Sequence, residues 1–351
     1  MKILSVISAV LILTLSGVLW LCQSTPLVSV VLLTHNRQEM LPRAIDSILN
    51  QTYTNFELII IDDASTDKTT EILKEYVKRD KRIKVIKNRI NSGIAESRNR
   101  GLELAKGEYI AWQDDDDVSE LNRLSEQVKF MEKHKDIIIL GTQISLLGTK
   151  RMAFLWPTEV SFQNAEIAFL LGRLPVVMAT EMWRKDFIEK YEIKFDKRIP
   201  ITEDLPIYDQ VLKYGGKIMT LNQVLYQYRL HDSNTEQYKD KIDLLQQDFF
   251  KARWNKFFGD VEYPKTQCLR LQYVKEHNQY FDQEVVDKMY LAHCNDELFS
   301  PTNKVAKIIH DDGTEELVIV LENTLRFYSN KLHKYGTLSK IDGKYTGILW
   351  D

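Results

Sequence analysis

The sequence has almost no excess of charge of either sign. Its 351 residues include 47 basic and 50 acidic side chains, which leaves a formal net charge of −3. Proteins that bind nucleic acid usually present a basic surface to its phosphates. The charge balance therefore argues against a nucleic-acid partner, whereas the 44% hydrophobic content is ordinary for a chain with a buried core.

Glycine-rich phosphate loops and cysteine-based metal motifs are also missing. No strand-like run is followed by the glycine fingerprint of dinucleotide-binding folds or by a phosphate-loop motif, which excludes the usual sites of dehydrogenases and kinases. The chain has three cysteines, and their spacing matches no metal site. Cys268 and Cys294 are either a disulfide pair or two free thiols, so the redox compartment stays open.

The first residues form an uncharged, apolar stretch at positions 3–22, close to the ~20 residues that a membrane-spanning helix needs. We expect a single-pass membrane anchor within residues 1–25. A cleaved signal peptide is the alternative, although Trp20, Leu21 and Cys22 lack the small-residue pattern of a cleavage site. Lys2 favours an N-terminus on the inner side, but one charge leaves the sidedness open.

Apolar runs with strand periodicity then alternate with amphipathic helical patterns. The predicted strands are rich in β-branched residues and lie at 27–33, 57–61, 83–86 and 109–112. This alternation predicts an α/β fold with a parallel sheet. Ligands bind such sheets beyond the carboxyl ends of the strands, which is where Asn36, Asp63 and Asp114 fall.

The predicted secondary structure changes twice along the remainder of the chain. We predict an α/β domain at 26–240, a helical extension at 241–300 and a small β-rich module at 301–351, in which Asp312-Gly313 and Asp342-Gly343 are turn signals. This module could cap a sheet edge, bind a glycan acceptor or mediate oligomerisation.

Four consecutive aspartates, at positions 114–117, follow the fourth predicted strand. Carboxylates so close together repel one another and raise one another's pKa, and a divalent cation relieves this repulsion. Magnesium and manganese prefer oxygen ligands and often complete their shell with substrate phosphates. The alternative interpretation is a solvated acidic turn that caps the next helix through its dipole.

The order of motifs between residues 26 and 235 resembles that of family 2 glycosyltransferases with the GT-A fold. The matching segments are Val28-Ser29-Val30-Val31, Thr34-His35-Asn36-Arg37, 57–67, 91–101, 107–117, Glu203-Asp204 and Tyr228-Arg229-Leu230-His231. The resemblance implies a mostly parallel, Rossmann-like sheet flanked by helices. It also implies transfer of one sugar, with inversion, from a nucleotide diphosphate sugar, most simply a UDP sugar, to a glycan or lipid-linked hydroxyl.

The resemblance assigns roles residue by residue. The nucleotide-sugar contacts would be Thr34, Asn36, Arg37, Asp63, Arg98, Asp114 and Arg229. The ligands of Mn²⁺ or Mg²⁺ would be Asp116, Asp114 and His231. Asp204, with Glu203 beside it, would be the base that accepts the acceptor's proton. The alternative for this acidic pair is that it caps the following helix, next to Pro206.

Several positions carry a second interpretation or depart from the family pattern. Asp117 is expected to cap the helix after the acidic run, and Arg98 is either a phosphate or loop contact or an exposed surface charge. Asp62 is expected to cap a strand end. Gln113 replaces an apolar residue and Asp115 a small one, which leaves the choice of metal ligand between neighbouring acids open.

Two other functions fit part of the same pattern. A nucleotidyltransferase would also place metal-binding acids at strand ends, but Glu203-Asp204 and Arg229 to His231 argue against it. A non-catalytic carbohydrate-binding or scaffold protein would not need the acidic pairs. We therefore expect a glycosyltransferase whose partners are a nucleotide sugar, a glycan or lipid-linked acceptor and, through residues 1–25, a membrane.

Overall fold

The structure is a computed structural model. It describes residues 25–147, 152–154, 165–172, 174–199, 201–229, 239–265, 267–277, five positions between 279 and 287, and the strands at 304–309, 315–320, 326–329, 334–341 and 344–349. The predicted anchor, His231 and Cys294 lie outside the described residues. Within the described part, no helix has the length and apolar character needed to cross a bilayer.

The first half of the main sheet is parallel. Its strands are β1 (Val28–Thr34), β2 (Phe56–Asp62), β3 (Ile83–Lys87) and β4 (Tyr109–Gln113). The helices between them are α1 (Leu41–Leu49), α2 (Thr69–Arg79) and α3 (Ile94–Leu104). The strands lie in the order β3-β2-β1-β4 with parallel pairing throughout. The predicted α/β fold is confirmed.

The second half extends the same sheet with mixed pairing. Its strands are β5 (Val118–Ser119), β6 (Ile137–Leu146), β7 (Met152–Phe154), β8 (Met182–Arg184) and β9 (Lys217–Tyr228). The helices are α4 (Arg123–Lys133), α5 (Ala165–Leu170), α6 (Lys185–Lys190) and α7 (Leu205–Lys213), with a 3₁₀ turn at Met178–Thr180. β8 lies antiparallel between β4 and β6, β9 runs parallel to β6, and β5 runs antiparallel to β9.

The chain divides into two compact units, with the boundary between Val261 and Glu262. Helix α8 (Lys239–Phe258) belongs to the first unit and helix α9 (Gln267–His277) to the second. The second unit also contains β10 (Lys304–Ile309), β11 (Glu315–Val320), β12 (Arg326–Ser329), β13 (Lys334–Ile341) and β14 (Lys344–Leu349). These strands form a β10-β11 hairpin pair and an antiparallel β12-β13-β14 sheet.

The core of the first unit follows directly from the apolar periodicity. Every residue of β2 is buried, and α1 buries Leu41, Ala44, Ile45 and Ile48 on one face. Burial of apolar surface stabilises a fold by roughly 25 cal/mol per Å². Val77 of α2, although apolar, is 42% exposed, because it lies at the edge of the stripe formed by Leu73 and Tyr76.

Helix α3 lies unusually close to strand β1. A Cβ atom added at Gly101 would overlap the Val31 side chain, which is itself fully buried. The absence of a side chain at Gly101 therefore sets the distance between this helix and the sheet. This matters for the site, because α3 carries Arg98 one turn earlier.

We expect Gly101→Ala to lower the free energy of unfolding by about 1–3 kcal/mol, the usual cost of overpacking a core. Alanine's better helix propensity, worth up to ~1 kcal/mol, offsets only part of this cost. Chemical denaturation measures the difference. Glu103→Ala, an exposed change on the same helix, is the control. Equal stability of the two variants would contradict the close contact.

Candidate active site

Three strand ends meet at one edge of the sheet. In the parallel register Thr34 of β1 pairs with Asp62 of β2, and Leu32 pairs with Gln113 of β4. The Asp63 amide continues the ladder by donating to the Thr34 carbonyl oxygen at 2.9 Å. The sheet therefore brings the segments that begin at Thr34, Asp63 and Asp114 together.

Asp62 and Asp63 are adjacent in sequence, but their carboxylates accept hydrogen bonds from different segments. The Asp62 carboxylate is fully buried and accepts the Ser65 amide and the Thr70 hydroxyl, both at 2.8 Å. Lys87 lies 3.7 Å from the same carboxylate. These contacts close the turn after β2, so Asp62 stabilises the strand end, as expected.

The Asp63 carboxylate organises the loop before α3. It accepts the Asn88 side-chain amide at 2.7 Å, the Ser92 amide at 2.8 Å and the Gly93 amide at 2.9 Å. Gly93 has φ +83°, a conformation that favours glycine. Since a carboxylate has about four acceptor positions, one remains for a ligand N–H.

Asn36 joins the loops that follow β1 and β2. Its backbone is left-handed, with φ 55°, and its Oδ1 accepts the Thr66 amide at 2.8 Å. The backbone amide of Asn36 donates to the Ser65 hydroxyl at 3.0 Å. The side-chain oxygen of Asn36 is thus engaged within the protein, which leaves its Nδ2 group, near His35, as its outward-facing donor.

Arg37 faces the acidic run. Its Nε lies 3.4 Å from Asp115 Oδ1, and its Nη2 lies 3.6 Å from Asp116 Oδ2. Its side chain is about one third exposed. The family resemblance implied a nucleotide contact at Arg37. In the structure the positive charge of Arg37 lies beside the carboxylates of Asp115 and Asp116.

The far end of the acidic run is fixed from β9. The Asp117 carboxylate accepts the Arg229 backbone amide at 2.7 Å, and Arg229 Nε donates to the Asp116 carbonyl oxygen at 2.8 Å. The prediction that Asp117 caps the next helix was wrong, because β5 intervenes and Asn122 occupies the N-cap of α4. The same finding excludes the capping interpretation of the whole run.

Burial dominates the acidity of the run. It raises the pKa of Asp114 to about 6, with Arg98 opposing and Asp116 reinforcing the shift. It raises the pKa of Asp115 to about 7 and that of Asp117 to about 8. The repulsion expected from the sequence is therefore present, and added positive charge beside Asp114 would relieve it.

Arg98 is buried, with only 6% of its surface exposed, which excludes the surface-charge interpretation. Its Nη1 lies 2.6 Å from Glu203 Oε1, and its guanidinium packs over the Trp112 and Phe195 rings. Despite burial, its pKa is raised, because Glu203, Asp114 and Asp204 all stabilise its charge. Arg98 therefore couples the acidic run to the downstream acidic pair.

Asp204 occupies the N-cap position of α7, but its carboxylate makes no capping hydrogen bond. Its Oδ2 instead lies 3.3 Å from the Tyr208 hydroxyl. Thr202, two residues before Asp204, has a left-handed backbone with φ 61°, which marks local strain. Burial and then the Glu203 charge raise the pKa of Asp204 to about 6, which suits a base that works near neutrality.

The sequence analysis predicted no role for three residues that support the acidic run. Gln113 is buried, and its Nε2 donates to the Asp114 carbonyl oxygen at 2.9 Å. The Asp114 amide donates to the Tyr226 hydroxyl at 3.2 Å. Arg123 is fully buried and donates to the Trp112 carbonyl oxygen at 3.0 Å. The unusual Gln113 was the available signal, since it already departed from the family pattern.

The residues present fit a divalent cation that is shared with substrate. Among the described residues, no three His, Cys, Asp or Glu side chains are arranged to hold a metal ion. Magnesium and manganese often need only one or two carboxylates when nucleotide phosphates complete the shell. Asp114 and Asp116 supply such oxygens, and burial disfavours the charged form of Asp114, which a neighbouring cation would stabilise.

Comparison of this chain with known proteins identifies its family. The family model described as Glycosyl transferase family 2 matches residues 29–191. The Bacillus subtilis protein named putative teichuronic acid biosynthesis glycosyltransferase TuaG is 31% identical over 65% of this chain and 92% of its own length. The chain belongs to glycosyltransferase family 2. It is therefore an enzyme that uses a nucleotide-sugar donor.

Further relatives extend the likeness. The Escherichia coli protein named UDP-Glc:alpha-D-GlcNAc-diphosphoundecaprenol beta-1,3-glucosyltransferase WfaP is 29% identical over 64% of this glycosyltransferase and 86% of its own length. Staphylococcus aureus TarS, solved with UDP-GlcNAc, aligns with TM-score 0.52 at 18% identity, covering 79% of this chain and 76% of TarS 1-349.

A second solved structure supports the same fold. The Pyrobaculum calidifontis mannosyltransferase PcManGT, solved with GDP-Man and Mn²⁺, aligns with TM-score 0.53 at 15% identity, covering 80% of this chain and 82% of that one. At such identities the structures establish the fold, which is of the GT-A type. The family assignment also removes the nucleotidyltransferase and scaffold alternatives.

We expect Arg98→Met to lower the free energy of unfolding by about 3–5 kcal/mol, because it leaves the buried Glu203 carboxylate without its partner. Adding Glu203→Gln should recover part of that loss, since the uncompensated charge is then gone. Chemical denaturation of the two single variants and the double variant measures the coupling. Strictly additive losses would show that Arg98 and Glu203 do not form the pair described.

Proposed function

We propose that this glycosyltransferase inverts the anomeric carbon while it moves one sugar from a UDP-linked donor to a hydroxyl of a glycan or lipid-linked acceptor. The observation that carries the proposal is the position of Arg98, which pairs with Glu203 at 2.6 Å and interacts electrostatically with both Asp114 and Asp204. The buried Arg98 guanidinium therefore lies near both Asp114, on the side of the nucleotide sugar, and Asp204, the proposed base.

In this mechanism the donor's base lies against Asp63, where one acceptor position on the carboxylate is open to a base N–H. Asp204 takes the proton of the acceptor hydroxyl while that oxygen attacks the anomeric carbon. The nucleoside diphosphate leaves from the opposite face. Glu203 remains paired with Arg98 and so keeps its charge away from the incoming hydroxyl.

Asp116, together with Asp114, would hold Mn²⁺ or Mg²⁺. When bound, such an ion supplies positive charge that stabilises the departing diphosphate. Arg37 and Arg229 keep the run in place through Asp115, Asp116 and Asp117. His231, the third predicted ligand, lies outside the described residues and stays a prediction.

The choice of donor and acceptor class is supported by the relatives' names. WfaP is named for a UDP-glucose donor and a diphosphoundecaprenol-linked acceptor, and TuaG for teichuronic acid biosynthesis. TarS was solved with UDP-GlcNAc, whereas PcManGT was solved with GDP-Man. A UDP sugar used in polysaccharide biosynthesis is therefore our first choice, with a GDP sugar as the alternative.

We further propose that residues 1–25 attach the enzyme to a membrane. The uncharged stretch at 3–22 is long enough to span a bilayer, and an enzyme anchored in this way would be held at the same membrane as a lipid-linked acceptor. Fractionation of cells that express the full chain and a chain lacking residues 1–25 tests this. Equal recovery of both in the soluble fraction would overturn the proposal.

We expect nucleoside diphosphate release from at least one nucleotide sugar when the purified enzyme is assayed with manganese. Asp116→Ala should reduce metal-dependent release at least a hundredfold, in the range lost when a stabiliser of transition-state charge is removed. Asp136→Asn, in an exposed ion pair with Lys217, is the control and should behave like the wild type. Release from none of a panel of UDP and GDP sugars would refute the proposed function.

The acceptor reaction should require ionised Asp204. Because burial raises the pKa of Asp204 to about 6, kcat/KM should fall as the pH drops below about 6. Asp204→Asn should abolish transfer while leaving donor affinity within about threefold, since its carboxylate serves the acceptor. Pre-steady-state transfer assays and isothermal titration with UDP measure the two properties. Full transfer activity of Asp204→Asn would move the base to another residue.

A further inference from the structure

A chain of hydrogen bonds runs behind Asp204, away from the crevice. The Tyr208 hydroxyl lies 3.3 Å from Asp204 Oδ2 and only 2.6 Å from Glu181 Oε1. Trp183 Nε1 donates to the other oxygen of Glu181, Oε2, at 2.5 Å. The Glu181 side chain is fully buried. Tyr208 can reach back to Asp204 because the two residues lie one helical turn apart.

The donors in this chain of hydrogen bonds determine where its protons lie. An indole N–H can only donate, so Oε2 of Glu181 must accept. If Glu181 is ionised, its Oε1 also accepts, and the one hydroxyl proton of Tyr208 goes to this nearer oxygen. If Glu181 is protonated, the proton lies on Oε1 and is donated to Tyr208. The hydroxyl proton of Tyr208 is then available to Asp204.

Burial favours the second arrangement. The charged and titratable groups that face Glu181 are Tyr208, Asp204 and Arg98, and Arg98 is already paired with Glu203. Burial raises the pKa of Glu181 to about 8. The hydrogen bonds of Tyr208 and Trp183 and the Arg98 charge oppose this rise, whereas the Asp204 charge adds to it. Since burial raises the pKa of Asp204 only to about 6, Glu181 keeps its proton near pH 7 while Asp204 is ionised.

We propose that Glu181 is a positioning residue that, as a neutral acid, donates to Tyr208, so that Tyr208 donates to Asp204 and orients its carboxylate toward the acceptor. This inference rests on the proposed role of Asp204 as the base. When Glu181 loses its proton to solvent, Tyr208 donates to Glu181 instead. Asp204 then loses the hydrogen bond from Tyr208, and activity falls on the alkaline side.

Tyr208→Phe tests this chain of hydrogen bonds through the pH profile. Tyr208→Phe should lower kcat roughly tenfold, and it should move the acidic limb up by about half to one pH unit, because Asp204 loses a donor that lowers its pKa. The KM for the nucleotide sugar should stay within about twofold. Tyr214→Phe, an exposed tyrosine at the end of the same helix, is the matched control. An unchanged pH profile in Tyr208→Phe would overturn the proposal.

Glu181→Leu should likewise lower kcat, and Glu181→Gln should restore most of it, because an amide can donate to Tyr208 and accept from Trp183. The wild type should lose activity above about pH 8, in line with the raised pKa of Glu181, whereas Glu181→Gln should not. An alkaline limb that persists unchanged in Glu181→Gln would show that Glu181 is not the group that titrates.

A measurement without turnover separates this inference from the proposed function. The infrared difference spectrum of wild type minus Glu181→Gln should show a protonated carboxyl C=O stretch at pH 7 that disappears above about pH 9. Folded Glu181 holds its proton more tightly than unfolded Glu181, whose pKa is 4.5. The stability that this proton contributes is complete below pH 4.5 and is lost as the pH rises toward 8.

The Tm of Glu181→Gln minus that of the wild type should therefore increase between pH 5 and pH 8.5. Absence of the infrared band at pH 7, together with a constant Tm difference, would overturn the inference whatever the enzyme transfers. If the band is present but no nucleotide sugar is turned over, the proton on Glu181 stands. The proposed function, and with it the role assigned to Asp204, would then fail.

Discussion

The site depends on one buried guanidinium. Arg98 has 6% of its surface exposed, pairs with Glu203 and stabilises the charges of Asp114 and Asp204. An isolated charge in such surroundings would be strongly unfavourable. Here the Arg98 charge offsets the carboxylate charges around it, and the Trp112 and Phe195 rings pack against the guanidinium. A buried ion pair adds little net stability, so its main effect is to fix where these carboxyls lie.

The architecture could be predicted from the sequence because its signals are local. Alternating strand and helix periods identified β1 to β4, and parallel pairing then placed Asn36, Asp63 and Asp114 beyond the carboxyl ends of the strands without any knowledge of side-chain contacts. The order of motifs in the same region was sufficient to indicate the family, which the comparisons confirm.

The partners of the polar side chains could not be predicted, because they depend on contacts between distant segments. Asp117 looked like a helix cap, yet its partner is the amide of a residue 112 positions later. Arg98 could equally have been a surface charge, and only the position of Glu203 decides otherwise. Tyr208 was within reach of prediction, since it follows Asp204 by four residues on a helix. Glu181 had no such neighbour in sequence.

The contact between Arg229 and the acidic run joins two parts of the domain that are far apart in sequence. The family model ends at residue 191, after all four aspartates. Yet Asp116 and Asp117 are held by Arg229, at the end of the strand that also pairs with β5 directly after the run. The part of the domain that the family model matches therefore does not contain every contact that holds the acidic run. During synthesis the acidic loop can reach its final geometry only after the ribosome has released β9.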